Sequence, residues 1–130
     1  MDPDVAPRAI VAGHGALPAG LVSAVEAITG RGNALVSFSN NGLGREEIES
    51  GLRDLLALHN VSVVFTDLPG GSVTIAARRV LHDTAGLTLV TGVSLACLVD
   101  FVFCSTEIPD AEAAARAAEK GSAAIVPLTP

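Results

Sequence analysis

The sequence of 130 residues has no tryptophan or tyrosine and only four phenylalanines. Proteins that bind single-stranded nucleic acid stack its bases on aromatic side chains, so this shortage argues against such a role. Basic residues are also scarce, with 8 Lys and Arg against 14 Asp and Glu and a net charge of −6 at pH 7. Because nucleic acid and anionic membranes are bound by clustered Lys and Arg, we expect no nucleic-acid partner and no direct membrane insertion. Another protein or a small anion is the expected partner.

Cysteine is rare, and one long segment is nearly free of charge. Cys97 and Cys104, if both lie on one helix, are separated by about 10.5 Å along its axis, which is too far for a disulfide. We therefore expect buried, reduced thiols in a cytoplasmic protein, and the acidic N-terminus does not resemble a secretory signal. Between Asp83 and Glu107 only Asp100 is charged. Glycines and hydroxyl residues interrupt this segment, so we interpret it as a buried strand followed by a buried helix and not as a membrane span.

Apolar, β-branched runs alternate with helix-like segments along the chain. This alternation predicts right-handed crossovers and a parallel sheet with helices on both faces. We expect one α/β domain over residues 1–130, with residues 1–7 as a flexible N-terminus. Its sheet is predicted to be doubly wound, open and mostly parallel, with about five strands. The predicted strands lie at residues 9–12, 34–38, 61–66, 87–90 and 124–126.

Two polar turns follow predicted strands at the carboxyl edge of the sheet, where function is usually located in such folds. His14 follows the first strand, and Asp67 with Gly70-Gly71-Ser72 follows the third. Because the first and third strands are commonly neighbours, we expect the two turns to meet. A carboxylate that accepts one ring N–H fixes the tautomer of a histidine and leaves the other nitrogen as a nucleophile.

The turn after Asp67 has the composition of an anion site. Gly70 and Gly71 leave backbone amides accessible, and Ser72 begins a predicted helix, whose N-terminus favours an anion. A nucleophilic His14 facing such a turn predicts the capture of a phosphoryl group. Simpler explanations remain open, since Asp67 also suits a turn and Ser72 also suits a helix N-cap.

Other polar residues are assigned secondary roles. His59 and His82 lie near the ends of predicted helices, where a histidine side chain suits the helix dipole. Thr66 and Ser39 are further candidates for the wall of the cleft. No group of His, Cys and carboxylate residues has the spacing of metal ligands, so we expect neither a metal nor a cofactor.

Three motifs follow one another along the chain. They are Ile10-Val11-Ala12-Gly13-His14-Gly15 with Gly20-Leu21 and Gly30, Thr66-Asp67-Leu68-Pro69-Gly70-Gly71-Ser72 with Ala76 and Ala77, and Thr91-Gly92-Val93 with Leu95 and Leu98. In this order, over roughly residues 8 to 127, they resemble the motifs of mannose-type (mannose/fructose/sorbose) enzyme IIA proteins. These proteins belong to the bacterial phosphoenolpyruvate-dependent sugar phosphotransferase system.

The resemblance implies a phosphotransferase component that carries a phosphoryl group on His14, with Asp67 holding the ring. Gly70, Gly71 and Ser72 would receive the phosphoryl group. The implied donor is the histidine-containing phosphocarrier protein, and the implied acceptor is a mannose-type enzyme IIB domain. The resemblance also implies a cytoplasmic homodimer, peripheral to the membrane through its transporter complex. In some members of the family the edge strand, here residues 124–126, is exchanged between subunits.

Five positions, which we expect at the rim of the cleft, depart from the usual pattern of this family: Val73, Ile75, Ser94, Ala96 and Cys97. They bear on the identity of the acceptor more than on His14. Two alternatives therefore stay open. One is a regulatory module that is phosphorylated on His14 and binds another protein without sugar transport. The other is the phosphotransfer subunit of dihydroxyacetone kinase, whose histidine usually lies among serines and which lacks the Gly-Gly-Ser turn.

Overall fold

A computed structural model of the chain describes residues 6–104 and 106–130, which form one four-stranded sheet and five α-helices. The N-terminus predicted to be flexible falls largely on residues 1–5, which lie outside the described residues. The strands are β1 (Ala9–Gly13), β2 (Leu35–Ser39), β3 (Val63–Thr66) and β4 (Thr88–Val90). The helices are α1 (Leu17–Thr29), α2 (Arg45–His59), α3 (Ser72–Asp83), α4 (Leu95–Phe103) and α5 (Asp110–Ala123), and a 3-10 turn at Gly32–Ala34 precedes β2.

The strands are all parallel and lie in the order β2-β1-β3-β4. A helix lies in each connection between consecutive strands, as parallel pairing requires a long return path. The register places Gly13 opposite Ser39 of β2, and Ala12 opposite Thr66 of β3. The carboxyl ends of β1, β2 and β3 therefore lie side by side, and the predicted doubly wound α/β fold is confirmed.

Two apolar clusters lie on opposite faces of the sheet. Val11 and Phe65 pack with α1, α4 and α5, and the rings of Phe65 and Phe101 meet edge to face with centroids 5.1 Å apart. Ile10 and Val64 point to the other face, where they pack against α2 and α3. Because successive side chains of a strand alternate between faces, β1 is buried on both sides. This double burial explains its continuous apolar sequence.

The predicted fifth strand at residues 124–126 is not formed in the single chain. Helix α5 ends at Ala123, and Ala124 still has helical φ and ψ and donates to the carbonyl of Lys120. Alanine strongly favours helix, so the helix extends into the first residue of the predicted strand. The rest of the tail is exposed, with Ile125 at 82% and Leu128 at 89%.

The charge-poor segment between Asp83 and Glu107 contains β4 and α4, as predicted. In the described part of the chain, no helix has the length and apolar character that crossing a membrane requires. Cys97 and Cys104 are free thiols, and Cys97 is buried as expected, whereas Cys104 is only half-buried. Burial raises the pKa of the Cys97 thiol, which keeps it protonated.

Candidate active site

His14 and Asp67 form a hydrogen-bonded pair across the ends of β1 and β3. Nδ1 of His14 lies 2.6 Å from Oδ2 of Asp67. The same oxygen accepts the backbone N–H of His14 at 2.9 Å, and Oδ1 accepts the N–H of Leu68 at 2.8 Å. The Asp67 side chain is 7% exposed, whereas that of His14 is 46% exposed. A buried carboxylate thus holds an imidazole that is open to solvent.

Opposing effects act on the pKa of Asp67. Burial raises it, but the hydrogen bonds from the His14 ring and from the backbone N–H groups of His14 and Leu68 lower it more, so the net pKa lies below the usual range. Asp67 is therefore ionised at neutral pH and can only accept hydrogen bonds. In the neutral ring Nδ1 must then carry the hydrogen, and Nε2 keeps its lone pair.

Gly13 and Gly71 allow the backbone to approach this pair closely. A Cβ atom on Gly13 would lie 3.0 Å from Oδ2 of Asp67, and one on Gly71 would lie 3.3 Å from Cε1 of His14. Either contact is tighter than ordinary van der Waals packing allows without movement. A side chain at either position would therefore crowd the Asp67 carboxylate or the His14 ring, which explains why both residues are glycine.

The beginning of α3 faces the second ring nitrogen. Oγ of Ser72 lies 3.5 Å from Nε2 of His14. The first turn of a helix leaves backbone amides without intrahelical partners, and its dipole favours negative charge. Ser72 is the first helical residue and Gly71 takes the N-cap position, so the explanation of Ser72 as an N-cap is wrong. Gly70 lies in the same exposed turn, with open space around its Cβ position.

Thr74 is a site residue that the sequence reasoning missed. It is fully buried, and its hydroxyl lies 2.7 Å from Oγ1 of Thr66 and donates to the carbonyl of Leu68. These bonds hold the turn after Asp67 from beneath. Thr66 is also fully buried, so the prediction that it forms the wall of the cleft is wrong. It supports the site from below. A hydroxyl residue beside Val73 on the buried side of α3 is the signal that points to this role.

Asn40 is the second missed residue, and it acts together with Ser39. Oδ1 of Asn40 accepts the N–H of Gly15 at 3.2 Å, and the Ser39 hydroxyl donates to the Gly15 carbonyl at 2.8 Å. Ser39, a predicted wall residue, therefore does contact the segment that carries His14. Asn40 does not stand out in the sequence, because Ser39-Asn40-Asn41-Gly42 is a typical turn sequence and its contacts with β1 depend on strand order.

The departures from the family pattern differ in their exposure. Val73 is fully buried and Cys97 is 2% exposed. The prediction that these two residues lie at the rim of the cleft is therefore wrong. Ser94 is the N-cap of α4, where its hydroxyl accepts the N–H of Cys97 at 3.2 Å. Ile75 is 38% exposed and Ala96 is also exposed. Only Ile75 and Ala96 therefore have the accessibility that contact with a partner requires.

The remaining histidines lie where the sequence predicts. His59 is in the last turn of α2, and His82 is in the last turn of α3. Among the residues that the structure describes, no group of three or more His, Cys, Asp or Glu side chains is arranged to hold a metal ion.

The fold is similar to those of solved phosphotransferase system proteins. The mannose/sorbose specific IIA subunit from Enterococcus faecalis superposes with a TM-score of 0.79 at 22% identity, over 97% of both chains. The component EIIA from Streptococcus agalactiae gives a TM-score of 0.76 at 20% identity, over 92% of this chain and 95% of that one. A sigma-54 interaction domain protein from Enterococcus faecalis gives a TM-score of 0.68 at 11% identity, over 92% of this chain and 93% of that one.

The family assignment comes from the sequence. No match was found among curated proteins. Residues 8–119 match the EIIA-man family, which is described as the PTS system fructose IIA component. This match spans most of the chain, including all four strands, and confirms the resemblance carried by the three motifs. The chain belongs to the mannose- and fructose-type IIA family of the sugar phosphotransferase system.

Proposed function

We propose that this protein accepts a phosphoryl group on Nε2 of His14 from the histidine-containing phosphocarrier protein and passes it to a mannose-type enzyme IIB domain. The observation that carries the proposal is the position of the ring. Nδ1 lies 2.6 Å from Asp67, and Nε2 faces Ser72 at the start of α3. The reactive nitrogen and an anion-favouring helix terminus therefore lie on the same side of the imidazole.

The proposed step is an in-line displacement at phosphorus. The Nε2 lone pair of His14 attacks the phosphoryl group of the donor's phosphohistidine, and a new N–P bond forms as the bond to the donor nitrogen breaks. The donor nitrogen keeps the electron pair of the broken bond. Asp67 stabilises the positive charge that develops on the His14 ring, while the Ser72 hydroxyl and the first amides of α3 contact the phosphoryl oxygens.

Family membership also supports a cytoplasmic location and attachment to the membrane only through a transporter complex. We further propose a homodimer. In the part of the chain that the structure describes, β4 is an edge strand, and such an edge is open to pairing. The tail offers exposed Ile125, Val126 and Leu128. Pairing of this tail with a second copy would cover both features.

Incubation with phosphoenolpyruvate, enzyme I and the phosphocarrier protein tests the phosphorylation step. Mass spectrometry should find one acid-labile phosphoryl group, located on His14. His59→Ala and His82→Ala are matched controls that should be labelled as the wild type is, whereas His14→Ala should take no label. Label on the His14→Ala protein, or an unlabelled wild type, contradicts the proposal.

A regulatory module phosphorylated on His14 is the second candidate. It is favoured by Ile75 and Ala96, two exposed positions that depart from the usual pattern of the family. The fold alone does not separate the two roles, since it also occurs in the sigma-54 interaction domain protein. Adding a mannose-type enzyme IIB domain to the isolated phosphoprotein distinguishes them. Loss of the phosphoryl group to that domain supports transport, and full retention supports regulation. The glycines that flank His14 continue to disfavour the dihydroxyacetone kinase subunit.

A further inference from the structure

The segment of residues 13–15, which carries His14, is bonded to the end of β2. Three hydrogen bonds make this connection. The N–H of Asn40 donates to the carbonyl of Gly13 at 3.1 Å, and Oδ1 of Asn40 accepts the N–H of Gly15 at 3.2 Å. The Ser39 hydroxyl donates to the carbonyl of Gly15 at 2.8 Å. Both the N–H and the carbonyl of Gly15 are thus bonded to side chains of one neighbouring strand end.

The turn that follows β2 does not by itself account for these contacts. An asparagine in a turn commonly bonds its own backbone two residues on. Here the turn is closed by the backbone, through the N–H of Leu43 and the carbonyl of Asn40 at 3.0 Å. The Asn40 side chain instead reaches Gly15, which is 25 residues earlier in the sequence. The Ser39 hydroxyl serves both purposes, since it also accepts the N–H of Asn41 at 3.1 Å.

We propose that Ser39 and Asn40 are positioning residues for phosphoryl transfer, because they hold both backbone groups of Gly15, the residue after His14, and so set the direction of Nε2. This inference rests on the proposed function. Asp67 holds the ring at Nδ1 and the backbone N–H of His14, whereas the backbone that follows His14 is held by other groups. Misplacing a reacting atom by about 1 Å can slow a reaction roughly 100-fold, so the backbone on the other side of the histidine also has to be fixed.

Paired variants test the proposal in the reconstituted phosphorylation reaction. Here kcat denotes the limiting rate constant for phosphorylation of His14, and KM the concentration of phosphorylated phosphocarrier protein that gives half that rate. Asn40→Ala removes the acceptor of the Gly15 N–H, and Ser39→Ala removes the donor to its carbonyl. Each loss of a neutral hydrogen bond should lower kcat by roughly 3- to 10-fold. KM for the phosphocarrier protein should not change, since neither side chain is proposed to contact it. Ser39→Thr keeps the hydroxyl and should restore kcat, and Asn41→Ala is the control at the exposed next position.

The unfolding temperature of each variant separates positioning from general stability. The inference is overturned if Asn40→Ala and Ser39→Ala match Asn41→Ala in kcat. It is equally overturned if KM rises while kcat is kept, or if Ser39→Thr is as slow as Ser39→Ala although its unfolding temperature equals that of the wild type.

A second measurement needs no partner protein. The chain has 3 histidines, so His14→Ala identifies the ring ¹⁵N signals of His14 in an NMR spectrum. Asn40→Ala and Ser39→Ala should shift those signals and leave the signals of His59 and His82 in place. If the wild type takes no phosphoryl group, the proposed function fails, and this spectrum still decides the role of Ser39 and Asn40. Unchanged His14 signals in both variants would overturn it.

Discussion

One oxygen of Asp67 accepts two hydrogen bonds from the same residue, His14. Oδ2 lies 2.6 Å from the ring Nδ1 and 2.9 Å from the backbone nitrogen. The carboxylate thereby fixes the side chain of His14 relative to its own backbone, and the low exposure of Asp67 keeps water from competing for it. The tautomer of the ring therefore depends on one buried charge.

Replacing that charge should slow phosphorylation without unfolding the protein. Asp67→Asn is close in size, but its amide can donate to Nδ1 and so stabilise the tautomer in which Nε2 carries the hydrogen. We expect the initial rate of phosphorylation to fall by about 10- to 100-fold, the usual effect of changing a group that orients a reactive histidine. Ring ¹⁵N shifts of His14 should report the changed tautomer. A wild-type rate in this variant would rule out the orienting role.

The pH dependence of stability should also identify Asp67. Its pKa is lowered on folding, so its contribution to the free energy of unfolding is present above the ordinary carboxyl pKa of about 4. That contribution is lost as the pH falls through the lower pKa of the folded state. The free energy of unfolding, measured in urea, should therefore differ more between the wild type and Asp67→Asn at pH 7 than at pH 3. Asp54→Asn, at an exposed position of α2, controls for the loss of a charge. An equal difference at both pH values would contradict the prediction.

The close approach of Gly71 to the His14 ring predicts a steric effect. Gly71 has φ −74°, which any residue adopts, so Gly71→Ala tests the contact and not the backbone conformation. The new Cβ at 3.3 Å from Cε1 should push the ring away from α3 and slow phosphorylation. Gly20→Ala is the matched control, because nothing lies within 4 Å of its Cβ position in α1. Equal phosphorylation rates in the two variants would show that the ring adjusts freely.

Thr74 should matter for stability as well as for the rate. Thr74→Val keeps the shape of the side chain but leaves the Leu68 carbonyl and the Thr66 hydroxyl without this buried partner. We expect a loss of about 1–3 kcal/mol in the free energy of unfolding, measured by urea denaturation, together with slower phosphorylation. Thr74→Ser keeps the hydroxyl and should retain the rate even if the missing methyl group costs some stability. A Thr74→Val protein with wild-type stability and rate would remove Thr74 from the site.

The sequence predicts the parts of this molecule that depend on local patterns. The four observed strands lie within two residues of the predicted ones, and the meeting of His14 with Asp67 follows from strand order in doubly wound sheets. Asn40 and Thr74 could not be assigned in the same way. The contact of Asn40 with Gly15 depends on the β1–β2 register. A hydroxyl on the buried side of α3 makes Thr74 unusual, but its partners, the Thr66 hydroxyl and the Leu68 carbonyl, are defined only by the folded turn after Asp67.

The predicted strand at residues 124–126 is not formed in the single chain, and the reason leads to a test. A strand forms only where its backbone can pair with the edge of a sheet. Within one chain, the high helix propensity of Ala123 and Ala124 favours continuation of α5 over such pairing. A second copy would supply the missing partner. Sedimentation at micromolar concentration should therefore give twice the chain mass of 13.1 kDa. Removal of residues 124–130, which leaves α5 intact, should weaken the dimer, whereas Arg116→Ala on the exposed side of α5 should not. A monomer for the intact chain rejects the dimer, and a dimer that is unaffected by the truncation shows that other surfaces hold it together.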